Sequence, residues 1–318
     1  MQPTAREPEA PVIAIDWGTS SLRAALMSPD GAVINKIATP DGIMFAGERS
    51  FEAIFRELFG EWLARHPSAQ VLASGMIGSR QGWIEAPYVA CPAGFRDLAG
   101  ALTLIDVPGM TRVGLIPGLS IEHADGVPDV IRGEETQVFG ALTSLGVDEG
   151  IFVLPGTHSK WVTVEGGRII GFRTFLTGEM FDVLRRHSIL GRLMTEAEPA
   201  AKDGPSAAFD LGFDLSRQGH LLHHLFSVRS RGLFGSTAPA DLPDYMSGLL
   251  IGEEIREATA LIDRGGRPSV YLLGRGDLAG LYRRALAHHG IEATVLDDGM
   301  TFAGLFALAR MRNSRTEV

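Results

Sequence analysis

Two stretches decide the reading: Val12-Ile13-Ala14-Ile15-Asp16-Trp17-Gly18-Thr19-Ser20-Ser21 and Ile151-Phe152-Val153-Leu154-Pro155-Gly156-Thr157-His158-Ser159-Lys160. Each is a short β-type apolar run that stops at a polar turn containing Gly-Thr. In the first, a second apolar run follows (Leu22 to Met27), then a turn at Pro29-Asp30-Gly31 and a third run from Ala32 to Ala38. In the second, Lys160 to Val164, the turn Glu165-Gly166-Gly167 and Arg168 to Phe172 repeat that order. Strand, tight turn, strand, turn, strand is a β-meander, and here it occurs twice. The repetition predicts two related α/β domains, 11–146 and 147–312, with the boundary near Gly146 to Gly150.

The rest of the chain fits that plan. Phe51, Ile54, Phe55, Leu58, Phe59 and Trp62 share one helical face within Phe51 to Arg65, and Pro67 closes the helix. Val71 to Ser74 reads as a strand entering the glycine-rich segment 75–83, GMIGSRQGW, and Val113 to Ile116 as another. A helix is expected over Glu134 to Leu145, stopped by Gly146. The strand Val270 to Leu273 leads into Gly274-Arg275-Gly276 and a helix over Asp277 to His288, which Asp277 would cap, and Thr301 to Arg310 is a final apolar helix.

Composition narrows the function classes. The 318 residues suit about two domains, with 45% apolar and 21% charged residues. A net charge of −9 argues against a nucleic-acid binder, which wants a basic face. It leaves room for an anionic ligand held by a few local cations, backbone N–H groups and a metal ion. The single cysteine, Cys91, allows no internal disulfide and suits a reducing compartment. The N-terminal MQPTAREPEA reads as a frayed polar tail, and no run of 18 apolar residues is present. A cytoplasmic protein is expected.

Four elements carry chemistry. In the first turn, Asp16 stands at a strand end beside Gly18, Thr19 and Ser20. Glycine permits close backbone approach, hydroxyls and N–H groups can surround phosphate oxygens, and a carboxylate there suits Mg²⁺. In the second turn, Gly156, Thr157 and Ser159 have the same chemistry. The third element is Arg132-Gly133-Glu134-Glu135, whose carboxylates open a helix and are kept ionised by its dipole. The fourth is the glycine pair Gly274 and Gly276, where a flat base or ribose could lie against the backbone. Taken singly, each has a plain alternative: a polar hairpin, a helix cap or a loop.

In this order the elements resemble the sugar-kinase branch of the actin, Hsp70 and hexokinase superfamily. A narrower resemblance rests on IAIDWGTSSLRAAL, SGMIGSRQGWIEAPYVACPA, PDVIRGEETQVFGAL, LPGTHSKWVTVEGGRIIGFRTFLTGEMF, HSILGRLM, LFSVRSRGLFG and YMSGLLIGEE. These strings are similar to the 2-dehydro-3-deoxygalactonokinase family, from about Val12 to Arg310. The resemblance implies two actin-like (ribonuclease H-like) domains, each a mixed five-stranded sheet flanked by helices, with an interdomain cleft. It lets the last helix pack back on the N-terminal domain.

The implied reaction is ATP- and Mg²⁺-dependent phosphorylation of the 6-hydroxyl of 2-dehydro-3-deoxy-D-galactonate, in galactonate breakdown. The implied roles are a base at Glu134, a metal carboxylate at Asp16, and phosphate or nucleotide contacts at Gly18, Thr19, Ser20, Gly156, Thr157, Ser159, Gly274 and Gly276. Substrate contacts fall on Ser79, Arg80, Gln81, Trp83, Arg132 and Lys160, with Arg80 first for the carboxylate and Arg173 a further helper. The wider group uses aspartate as base where this chain has Glu134, so Glu135 and Asp129 stay open for that role. The partner is a small-molecule sugar acid, with no nucleic acid and no membrane, and a homodimer is allowed. The competing readings are a kinase of another sugar acid, a silent actin-like nucleotide binder and an exopolyphosphatase-like hydrolase.

Overall fold

Val12–Trp17 is buried along nearly its whole length, on both faces, as a central strand must be. The computed structural model describes residues 10–47, 49–195, 206–262, 268–274, 276–297 and 299–313. The stretch 1–9, read above as a frayed tail, and Arg275 lie outside them.

In chain order the elements are β1 (Val12–Trp17), β2 (Leu22–Met27), β3 (Val33–Thr39), α1 (Phe51–Arg65), β4 (Gln70–Ser74), β5 (Val89–Ala90), β6 (Ala93–Gly94), α2 (Phe95–Gly100), β7 (Thr103–Val107), β8 (Thr111–Leu115), β9 (Leu119–Glu122), β10 (Pro128–Ile131) and α3 (Glu134–Leu145). They continue with β11 (Gly150–Leu154), β12 (Ser159–Glu165), β13 (Arg168–Phe175), α4 (Thr177–His187), α5 (Ala207–Ser216), α6 (Leu221–Leu233), α7 (Leu242–Ile262), β14 (Val270–Leu273), α8 (Gly276–His288), β15 (Ala293–Leu296) and α9 (Met300–Asn313).

The described residues divide into two compact units, within Met1–Glu149, Val164–Gly171 and Gly299–Val318 for unit 1 and Gly150–Thr163 and Phe172–Asp298 for unit 2. In unit 1 the sheet order is β3-β2-β1-β4-β8-β7. β1 pairs antiparallel with β2 and parallel with β4, so Asp16 lies opposite Arg23 on one side and Ser74 on the other. Helix α1 is capped by the Ser50 hydroxyl, which accepts from Ala53 N, and it buries Ile54, Phe55, Phe59, Trp62 and Leu63. These residues join Ile13, Ile15, Trp17 and Leu22 in one core. Helix α3 ends at Gly146 in the left-handed conformation and packs against α9.

In unit 2 the order β13-β12-β11-β14-β15 reproduces the β3-β2-β1-β4-β8 plan of unit 1. This is the mixed α/β, actin-like arrangement that the sequence resemblance implies. Its core joins Ile151, Val153, Trp161, Phe209, Phe213, Ile255, Leu272 and Tyr282. Both large sheets have six strands where five were expected: β7 joins the first, antiparallel to β8, and β6 joins the second, antiparallel to β13. Ile105 and Val107 of β7 alternate inward, which gives that strand a buried face to contribute. Unit 1 also carries a small sheet, β10-β9-β5, and its residues Arg168 and Ile169 of β13 pair with Gly94 and Ala93 of β6.

Candidate active site

The turn that ends β1 is held from behind. Gly18 N donates to Ser21 O at 2.9 Å, closing the hairpin. The next loop takes up its carbonyls: Ile43 N donates to Gly18 O and Met44 N to Thr19 O, while the Trp17 indole N–H donates to Asp41 O at 2.7 Å. The backbone is thereby fixed, and Thr19 and Ser20 stay exposed. The Asp16 side chain is only 16% exposed and forms an ion pair with Arg23 across the hairpin. Burial pushes its carboxyl above the ordinary range, and the Arg23 guanidinium opposes that.

The acidic helix start lies at the same place. Gly75, just past β4, has φ +95°, and a Cβ there would sit 2.9 Å from Trp17 O and 3.6 Å from Asp16 Oδ1. Gly133, before α3, has φ +107°, and a Cβ there would sit 3.3 Å from the Gly75 Cα. Two backbones thus approach closely beside the Asp16 carboxylate, at conformations that only glycine adopts without strain. Arg132 N donates to Glu134 Oε2 at 2.9 Å and Gly133 N to Glu135 Oε2 at 2.6 Å. Glu134 is part-exposed and Glu135 fully buried. Burial first, and then the Glu134 charge, push the Glu135 carboxyl up to about 7, against hydrogen bonds from Thr136 and the backbone.

Asp129, the third base candidate, sits in β10. Its Oδ1 accepts from Val130 N at 2.7 Å, and its Oδ2 lies 3.8 Å from His123 Nε2.

The segment 75–88 divides the substrate candidates. Arg80 is 82% exposed and pairs with Glu85 at 3.0 Å, and Gln81 is exposed as well. Trp83 stacks edgewise on Trp17 and packs on Phe55 as part of the core. Ser79 is buried, with a hydroxyl that has no hydrogen-bond partner among the described residues. The Arg132 guanidinium lies over the Tyr88 ring at 4.3 Å and donates through Nη2 to Ala86 O at 2.8 Å. Its Nε and Nη1 are buried without an acceptor among the described residues. A Cβ on Gly78 would lie 3.0 Å from that Nη1, so Arg132 reaches the same segment as Ser79.

In unit 2 the second turn is backed by a helix. A Cβ on Gly178, in the first turn of α4, would lie 2.4 Å from Gly156 O, and Glu179 N donates to Thr157 O at 2.9 Å. His158 contacts the Glu179 carboxylate. Thr157 is exposed and Gly156 open. Gly274 at the end of β14 stands beside Pro155, with Gly276 opening α8. Asp277 therefore lies inside the first turn of α8 and is not its cap.

Ser159 and Lys160 are both buried. The Ser159 hydroxyl donates to Glu254 Oε1 at 2.7 Å, beside the Trp161 indole N–H at 2.8 Å, and the Tyr282 hydroxyl donates to Oε2 at 2.6 Å. Burial raises the Glu254 carboxyl, and these donors and Thr177 oppose it. Lys160 Nζ donates to His158 O at 3.1 Å. Glu254 went unnoticed in the sequence, because an acidic residue in a long helix carries no local sign of its buried partners.

Among known proteins, the family model described as 2-keto-3-deoxy-galactonokinase matches residues 16–308. A relative from Rhizobium meliloti (strain 1021), named as a 2-dehydro-3-deoxygalactonokinase, is 41% identical over 303 residues, covering 93% of this chain and 96% of its own. The 2-dehydro-3-deoxygalactonokinase of Escherichia coli (strain K12) is 32% identical over 298 residues, covering 93% and 97%. A solved structure from Sinorhizobium meliloti, assigned to the same activity, superposes with a TM-score of 0.84 at 38% identity, covering 95% of this chain and 98% of that one.

Proposed function

The chain belongs to the 2-keto-3-deoxy-galactonokinase family, and on that footing we propose that it moves the γ-phosphoryl group of ATP to the 6-hydroxyl of 2-dehydro-3-deoxy-D-galactonate. The products are the 6-phospho sugar acid and ADP, a step in galactonate breakdown. The observation that carries this reading is the meeting of Asp16, Gly75 and the Gly133-Glu134 helix start in unit 1.

Phosphoryl transfer asks a protein mainly for positioning and for neutralisation of charge. Glu134 takes the proton of the 6-hydroxyl as its oxygen bonds to the γ-phosphorus and the bond from that phosphorus to the bridging oxygen of ADP breaks. Its hydrogen bond from Arg132 N holds the carboxylate at the helix start. Thr19, Ser20 and Gly18 steady the γ-phosphate side from a hairpin whose backbone is already fixed. Gly156 and Thr157 of unit 2, with the α4 N-terminus behind them, suit the binding of phosphate oxygens. Gly274 and Gly276 leave room for the nucleoside.

Asp16 suits Mg²⁺. It is one largely buried carboxylate, and a Cβ on Gly75 would crowd the space beside its Oδ1. Magnesium needs only one or two protein carboxylates, since phosphates and water fill the rest of its shell. When bound, the ion neutralises charge developing on the phosphate oxygens.

For the acceptor's own carboxylate we assign Arg132 and Ser79. A buried guanidinium N–H without an acceptor costs roughly 1–3 kcal/mol, which a single carboxylate oxygen at Nη1 would offset. Arg80, the first choice from sequence, points to solvent and already has Glu85.

The test is product analysis. Purified protein with ATP, Mg²⁺ and 2-dehydro-3-deoxy-D-galactonate should form ADP and the 6-phosphate, and should do so more slowly with the C4 epimer. ADP release that ignores the acceptor would contradict the reading.

A further inference from the structure

We propose that Glu135 is a positioning residue: through Thr136 and Ser74 it holds the Glu134-bearing helix start in register with the strand that carries Asp16. This rests on the reading of Glu134 as the base.

The observations form a closed circuit within unit 1. Glu135 has no exposed surface, and both its oxygens are spent inward. Oε2 accepts from Gly133 N at 2.6 Å and Oε1 from the Thr136 hydroxyl at 2.9 Å. The Thr136 hydroxyl lies 2.8 Å from the Ser74 hydroxyl, and both residues are buried. Ser74 ends β4 and pairs with Asp16 of β1. On the other side Gly133 abuts Gly75, which abuts Asp16. The circuit therefore runs from Asp16 through Ser74, Thr136, Glu135, Gly133 and Gly75 back to Asp16.

A buried carboxylate is costly unless donors surround it. This one gathers a backbone N–H and a hydroxyl, and it sits at a helix N-terminus. Its gain is geometric. It ties down Gly133, whose φ is +107°, and so sets where Glu134 begins. Sealed and occupied on both oxygens, Glu135 is not the group that meets the acceptor. A shift of about 1 Å in the base costs about a hundredfold in rate, so the circuit acts on turnover.

The experiment uses the full chain, ATP, Mg²⁺ and 2-dehydro-3-deoxy-D-galactonate, well below the melting temperature. Glu135→Ala should lower kcat about a hundredfold while both KM values stay within about threefold. Glu135→Gln, which keeps the size and one acceptor, should recover kcat to within about tenfold of the parent. Thr136→Val should cost about tenfold alone and almost nothing on top of Glu135→Ala, since the two share one circuit. Should the alanine variant not fold, the Gln and Val variants carry the same readouts.

A parental kcat in Glu135→Ala, with only a lower Tm, would reduce Glu135 to a packing residue and overturn the proposal. So would a Glu135→Gln variant as inactive as Glu134→Gln, because Glu135 would then act in the chemistry itself. Glu134→Gln is measured alongside. If it keeps its turnover, the base assignment fails and this inference with it; if it is inactive and Glu135→Ala is normal, only this inference fails.

Discussion

The two Gly-Thr turns share a backbone plan and differ in charge. Aligning Gly18 with Gly156 places Asp16 against Leu154, a carboxylate against a core leucine. In unit 1 the turn carries an anionic side chain, balanced by Arg23 and pinned from behind by the loop at Ile43 and Met44. In unit 2 the turn carries no carboxylate at that position and is backed by the N-terminus of α4. A duplicated scaffold has thus been given two electrostatic tasks. Under the proposed function the first turn serves a cation, and the second, without that carboxylate, serves phosphate oxygens.

That contrast can be broken most forcefully at Asp16. Asp16→Asn removes the charge and keeps the shape, and kcat should fall on the order of a thousandfold with the fold intact by circular dichroism. A loss under about threefold would mean that the charge difference between the turns has no role in catalysis.

A smaller effect is expected in unit 2. Gly178→Ala brings a methyl group against Gly156 O, so the turn must shift. The KM for ATP should rise about tenfold, with kcat within about threefold, because the change weakens binding in ground and transition states alike. The reverse pattern, kcat lost at constant KM, would place the reacting groups on this turn as well.

The smallest effect concerns stability at the unit 1 helix start. The folded-state pKa of Glu135, about 7, exceeds the ordinary 4.5, so folding favours its protonated form. That contribution is whole below about pH 4.5, is lost as pH rises to about 7, and is constant above. The loss is on the order of 3 kcal/mol. Glutamine has no proton to lose, so Glu135→Gln should gain stability over the parent at pH 8 relative to pH 5 in urea titrations. Equal differences at both pH values would show that Glu135 is not held this way.

Much of this was legible in the sequence because it was local. The paired meanders, the helix over Glu134–Leu145 and the Asp16 turn all announced themselves through spacing and glycine placement. The short strands β9 and β10, four residues each, carry too little alternation to read. The chemistry of Ser159 was hidden for another reason. Its sequence setting matches a phosphate turn, yet its hydroxyl is taken by Glu254, 95 residues away. Arg132 shows the converse. Its buried, unsatisfied nitrogens arise from packing on Tyr88 and Ala86, which no local pattern announces. Arg80, apt by type and neighbours, stands exposed beside Glu85, a pairing that its sequence setting does not announce.

The most direct test of the whole account is single-turnover transfer from ATP to 2-dehydro-3-deoxy-D-galactonate by Glu134→Gln. Transfer should slow by about a hundredfold to ten-thousandfold, with ATP affinity within about threefold of the parent. Transfer at nearly the parental rate would contradict it, because the acidic start of α3 would then have no part in the reaction.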